Sequence, residues 1–157
     1  CIQHAGAAWS RIGNLKVRGE VRAVLWTAAS DPSLPGSGTA LIALRNLATS
    51  GAEDRAKVAD RAAVSAASPD APEGVRVTAL QVAAEAGFDG TAGLARSILA
   101  SRQNPVHLRM SAAAALVRVG DASDLDALDR LAAGSEPRLR AAGSAAASRI
   151  RKVDQKK

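Results

Sequence analysis

Residues 104–150 decide the fold: NPVHLRMSAAAALVRVGD (104–121), ASDLDALDRLAAGS (122–135), EPRLRAAGSAAASRI (136–150). A proline opens a helix, an apolar-Arg pair stands in its first turns, and small apolar residues follow at helical spacing. A Gly-Asp turn closes it and a short amphipathic helix follows. The unit then begins again at Glu136-Pro137.

Working outward, the same unit recurs towards the N-terminus. The prolines before alternate helices are Pro35, Pro72, Pro105 and Pro137, separated by 37, 33 and 32 residues. Glycines that close those helices fall at 51, 87 and 120, separated by 36 and 33. A period in this range is the mark of a stacked repeat, in which one helix pair cannot bury its apolar face alone and a neighbour completes the core. The apolar-Arg pairs Val75-Arg76, Leu108-Arg109 and Leu139-Arg140 coincide in this alignment, whereas the helix at 38–49 keeps only the apolar rhythm.

Composition agrees. Ala occurs 37 times, Tyr is absent, there is one Phe, and Trp stands only at 9 and 26. Such a core is built of Ala, Leu, Val and Ile. Ala favours helix and permits close helix approach, while a β-sandwich wants β-branched and aromatic residues. The spacing predicts helices at about 2–12, 18–29, 38–49, 52–67, 73–86, 90–101, 106–119, 123–133 and 137–150, within one domain over 1–150. A basic tail at 151–157 is expected to fray. Val21, Val24, Leu25 and Ala28 are expected on the apolar face of the second helix, with Val58, Ala59, Ala63 and Val64 inward on the fourth. Trp9 and Trp26 are expected to cap the core at its N-terminal end.

The stretches VRVTALQVA (75–83), LRMSAAAAL (108–116) and LRAAGSAAA (139–147) resemble the HEAT-repeat family, particularly the short units found in phycobilisome lyases. The resemblance is good over 70–150 and fair over 35–70. It implies an all-α fold, a right-handed α-solenoid of about four stacked antiparallel helix pairs. It also implies that the Arg-bearing helices line the concave side, placing Arg76, Gln81, Arg109 and Arg140 on a partner-binding face. The family tends to place an acid six positions before the Arg as a brace between repeats. Asp70 stands so before Arg76, but Gln103 and Gly134 stand before Arg109 and Arg140, so the ladder is incomplete. Each Arg is expected either to brace a helix-end carbonyl or neighbouring acid, or to offer its cation to an acidic partner.

No chemistry is written beside the repeat. The two imidazoles are His4 and His107, the lone thiol is Cys1, and a closed zinc site wants four ligands. No nucleophile elbow, Walker loop or dinucleotide fingerprint stands in the chain. The expectation is therefore no enzyme, no cofactor, no metal and no small-molecule substrate, with another protein as the partner. Net charge is +6, but residues 148–157 account for most of it, and three aromatics offer little to stack on a base, which disfavours nucleic acid. A chain that starts on its sole Cys looks like a mature bacterial lipoprotein. Acylation of Cys1 would tether an adaptor or scaffold subunit to the cell envelope, and a cytoplasmic HEAT-like adaptor is the alternative.

Overall fold

The computed structural model describes residues 15–48 and 52–155. The protein is all-helical, and among the described residues there is no strand. It packs as two compact units, Cys1–Phe88 and Asp89–Lys157.

The first unit holds α1 (Leu15–Ser30), α2 (Ser37–Leu47), α3 (Ala52–Ala67) and α4 (Glu73–Ala86). α3 packs along α4, and α2 packs against both α1 and α4. Its core is Leu25, Leu41, Leu44, Val58, Val75, Leu80 and Val82, with alanines between them. The small residues set the spacing. A side chain on Gly38 of α2 would press on Thr78 of α4, 3.3 Å from its Cβ. α4 ends on Gly87 at φ 77°, a left-handed position at which glycine avoids the steric penalty of a Cβ, and its N–H reaches the Ala83 carbonyl at 3.1 Å.

The second unit holds α5 (Thr91–Ala100), α6 (Val106–Val119), a 3₁₀ turn (Ala122–Asp124), α7 (Leu125–Ala132) and α8 (Pro137–Asp154). α5 packs on α6, α6 on α8 and α7 on α8, while the 3₁₀ turn touches α7 and α8. Its core is Ile98, Leu99, Leu108, Leu116, Leu128, Leu131, Leu139 and Ile150.

The proline markers take two roles. Pro72 and Pro105 are N-caps with nearly the same backbone, φ −53°, ψ 143° and φ −56°, ψ 151°. Pro137 is instead the first helical residue, where a missing N–H costs nothing. Glu136 takes the cap position, its carboxylate accepting from the Arg138 N–H. Counted from the caps, Val75, Leu108 and Leu139 fall at one register, and all are buried. Ala79, Ala112 and Gly143 fall four residues later, also buried.

Several expectations change. α8 does not stop at Ile150 but runs to Asp154, because Arg151 pairs with Asp129 of α7 and Arg151 and Lys152 suit the negative end of the helix. α1 begins at Leu15 rather than Arg18. Val24 is 64% exposed and Val64 55% exposed, because Leu25 and Ala29 on α1 and Val58, Ala62 and Ala66 on α3 take the buried stripes. The helix expected at 2–12 and the Ser50-Gly51 stop lie outside the described residues.

Candidate functional site

The Arg-bearing helices place their guanidiniums by a rule visible in both units. The Arg76 Nε donates to the carbonyl of Ala66, ten residues earlier, at 3.1 Å. The Arg109 Nε donates to the carbonyl of Leu99, also ten residues earlier, at 3.2 Å. Both acceptors lie in the last turn of the preceding helix, where carbonyls lack an intrahelical partner. The brace thus runs to the main chain. Asp70 is exposed and, among the described residues, makes no ion pair. Arg140, at the same register of α8, is exposed and makes no hydrogen bond or ion pair among the described residues. Gln81 is exposed on α4.

Arg109 opens onto a second feature, a half-open cleft of about 620 Å³ in the second unit. α5 supplies Arg96, Leu99 and Ala100, the following turn Arg102, and α6 its Arg109. α7 supplies Ala127, Arg130 and Leu131, the next turn Gly134, Ser135 and Glu136, and α8 Leu139. The floor is aliphatic, the wall carries four guanidiniums, and one carboxylate faces them. That carboxylate is partly occupied, since Glu136 Oε1 caps α8 through the Arg138 N–H at 3.1 Å.

The four arginines divide into two kinds. Arg96 is clamped: its Nε lies 2.6 Å from Asp124 Oδ1 and its Nη2 3.0 Å from Asp124 Oδ2. Asp124 is 2% exposed, and its Oδ2 also accepts from the Asp121 N–H at 3.0 Å. The Asp121 Oδ1 accepts in turn from the Ser123 N–H at 2.8 Å, which completes a capping box at the 3₁₀ turn. The hydrogen bonds to Asp124 raise the Arg96 pKa above its ordinary value. The hydrogen bonds from Ser123, with help from Arg96, hold the Asp121 carboxyl below the usual carboxylate value. Arg109 is held by the Leu99 carbonyl. Arg102 and Arg130 are exposed, and among the described residues neither makes a hydrogen bond or an ion pair.

Of the arginines singled out in the sequence, Arg109 alone lines this cleft. Arg96, Arg102 and Arg130 were not among them. Arg96 and Asp124 lie 28 residues apart, and no local pattern joins them. Arg102 and Arg130 sit in a turn and a short helix outside the repeating apolar-Arg register, so the repeat itself hides them. In the sequence Asp121, Asp124, Asp126 and Asp129 read as an acidic patch around one turn and helix start, in part capping chemistry and in part a surface for a basic partner, and nothing local marks the clamp on Arg96.

His107 is exposed, its Nε2 3.3 Å from Arg138 Nη1. Cys1, His4 and Trp9 lie outside the described residues. Trp26 is half-buried and lines a shallow recess of about 360 Å³ with Lys57, Asp60, Arg61 and Val64. Among the described residues no group of three or more His, Cys, Asp or Glu is placed to hold a metal, and no helix is long and apolar enough to cross a membrane. No protein-family model, curated protein or solved structure matches this chain.

Proposed function

We propose that the chain is a HEAT-like α-solenoid that works as a non-catalytic protein-interaction module. The observation that carries the functional part is the second-unit cleft, where two arginines with no partner among the described residues line the same cavity as aliphatic side chains. Guanidiniums beside aliphatic side chains suit the binding of a group that is both anionic and apolar. The repeat reading is supported by the recurrence of one brace in each unit, Arg76 to Ala66 and Arg109 to Leu99. It is supported further by the packing of alternate helices, α2 with α4 in one unit and α6 with α8 in the other. Stacked repeats use the surface left by their helices to hold a partner rather than to do chemistry.

A photocrosslinking scan in the native host tests this. A benzophenone amino acid is placed singly at exposed positions on both units, among them 81, 102, 130, 140 and 144. The expected result is one heteromeric adduct of constant mass from a contiguous set of positions. Adducts from no position, with the variants folded and abundant, overturn the module.

A further inference from the structure

We infer that the second-unit cleft takes an acidic segment of a partner protein that also presents an aliphatic side chain. Arg102 and Arg130 engage its carboxylates, and Leu99, Leu131 and Leu139 receive the aliphatic group. This rests on the interaction-module reading above and names the partner chemistry of that site.

The division among the arginines is the argument. A guanidinium already satisfied by a buried carboxylate has little left for a ligand, and Arg96 has given Nε and Nη2 to Asp124. It serves as a fixed wall. Arg109 lines the cleft but is held in place by the Leu99 carbonyl. Arg102 and Arg130 remain, both exposed and both with the planar fork that matches a carboxylate through paired hydrogen bonds. Their neighbours explain the second half of the ligand. Leu99, Leu131 and Leu139 are buried but bound the cleft, so an aliphatic side chain entering it completes a surface that water covers poorly.

Charge around the cleft selects among anions. Asp126 stands on the same helix as Arg130, and Asp121 stands in the turn before it, whereas Asp129 is paired with Arg151. An extended polyanion would run past these carboxylates, and like charges at close range cost affinity. The lining has no aromatic ring on which a base could stack. A short segment with its acids clustered beside an aliphatic residue meets the cations without meeting the acids. The cleft volume suits a few side chains rather than a long strand.

The test uses the full chain and a short fluorescein-labelled peptide in which Glu and Asp flank two Leu. Its partner probe replaces every Glu and Asp by Gln and Asn. Fluorescence anisotropy is read for the unmodified chain, for Arg102→Gln and Arg130→Gln singly and together, and for Arg55→Gln, an exposed arginine on α3 of the first unit. Circular dichroism follows each variant. The acidic peptide should bind, the amide probe should bind about tenfold or more weakly, and the paired substitution should weaken the acidic peptide by about tenfold. Arg55→Gln should change nothing, and binding should weaken with added salt.

Equal affinity for the two peptides overturns the inference, as does an unchanged affinity in the folded paired variant. If the pair fails to fold, the single variants decide by the same criterion. Tighter binding of phosphatidylglycerol vesicles or duplex DNA through Arg102 and Arg130 also overturns it. Loss of peptide binding with a persistent photocrosslinked adduct elsewhere leaves the module standing and removes the cleft. Failure of both removes the module as well.

Discussion

At Gly143 the absence of a side chain sets how closely two helices lie. A Cβ there would stand 2.7 Å from the Leu128 carbonyl oxygen and 2.8 Å from the Ala132 nitrogen, both main-chain atoms that cannot swing aside. Overpacking of this kind costs about 1–3 kcal/mol, so Gly143→Ala should lower the urea midpoint by a corresponding amount. Gly93 is the counter-case. It lies inside α5 with nothing within 4 Å of the added carbon. Gly93→Ala should raise stability by about 0.5–1 kcal/mol through the backbone freedom it removes from the unfolded chain. Equal and opposite shifts would not be needed, but shifts of the same sign would break the argument. The sequence places both glycines in helices and cannot tell them apart. The repeat alignment hints at the difference, since Gly143 shares its register with the buried Ala79 and Ala112, whereas Gly93 has no such counterpart.

At the scale of the element, the turn into α7 shows what a sequence withholds. Helix positions were legible because apolar spacing, prolines and closing glycines are local signals, and α3, α4 and α6 begin and end where those signals put them. Helix ends that depend on distant residues were not. α8 passes Ile150 because Arg151 finds Asp129, and the chain between them gives no sign of it. The 3₁₀ turn and α7 depend in the same way on Asp124, which caps the Asp121 N–H and clamps Arg96 of α5 at once. Hydrogen bonds to charged groups are worth about 1.5–3 kcal/mol, but Arg96 is largely solvated, which discounts its share. Asp124→Ala should therefore cost about 2 kcal/mol in chemical denaturation, and hydrogen exchange should quicken first in residues 121–132. Asp126→Ala, on the exposed side of the same helix, should do neither. Protection in α7 that survives Asp124→Ala would mean that packing on α8, not the clamp, holds the element.

For the whole molecule, the two units carry different charges and different reporters. The second unit has twelve Lys and Arg against seven Asp and Glu, while the first has nine against eight. Trp26 stands on α1 of the first unit, so in a Trp9→Phe background tryptophan fluorescence reports on that unit while far-ultraviolet circular dichroism follows both. Each unit also holds a carboxylate with a lowered pKa. The hydrogen bond from Arg22 lowers Asp54 below its ordinary value of 3.8 in the first, and the hydrogen bonds from Ser123 lower Asp121 below the same value in the second. A carboxylate whose folded pKa lies below its unfolded one stabilises the fold fully above the unfolded value, and that contribution disappears as pH falls through the folded value. Stability should thus be level from neutral pH down to about 5 and fall below about 4. Asp54→Asn should lower stability at neutral pH and flatten part of the acid limb seen by fluorescence, because one of the groups that would have been protonated is gone, while Asp31, lowered by its hydrogen bonds from Ser33, keeps the rest. Asp121→Asn should flatten the acid limb seen by circular dichroism and leave the fluorescence limb as it was. In a stacked repeat, neighbouring units share interface energy and unfold together only when that energy outweighs the difference between them. Asp121→Asn moving both signals equally would show that the two units unfold as one; movement of the circular dichroism alone would show that each loses its structure by its own carboxylates.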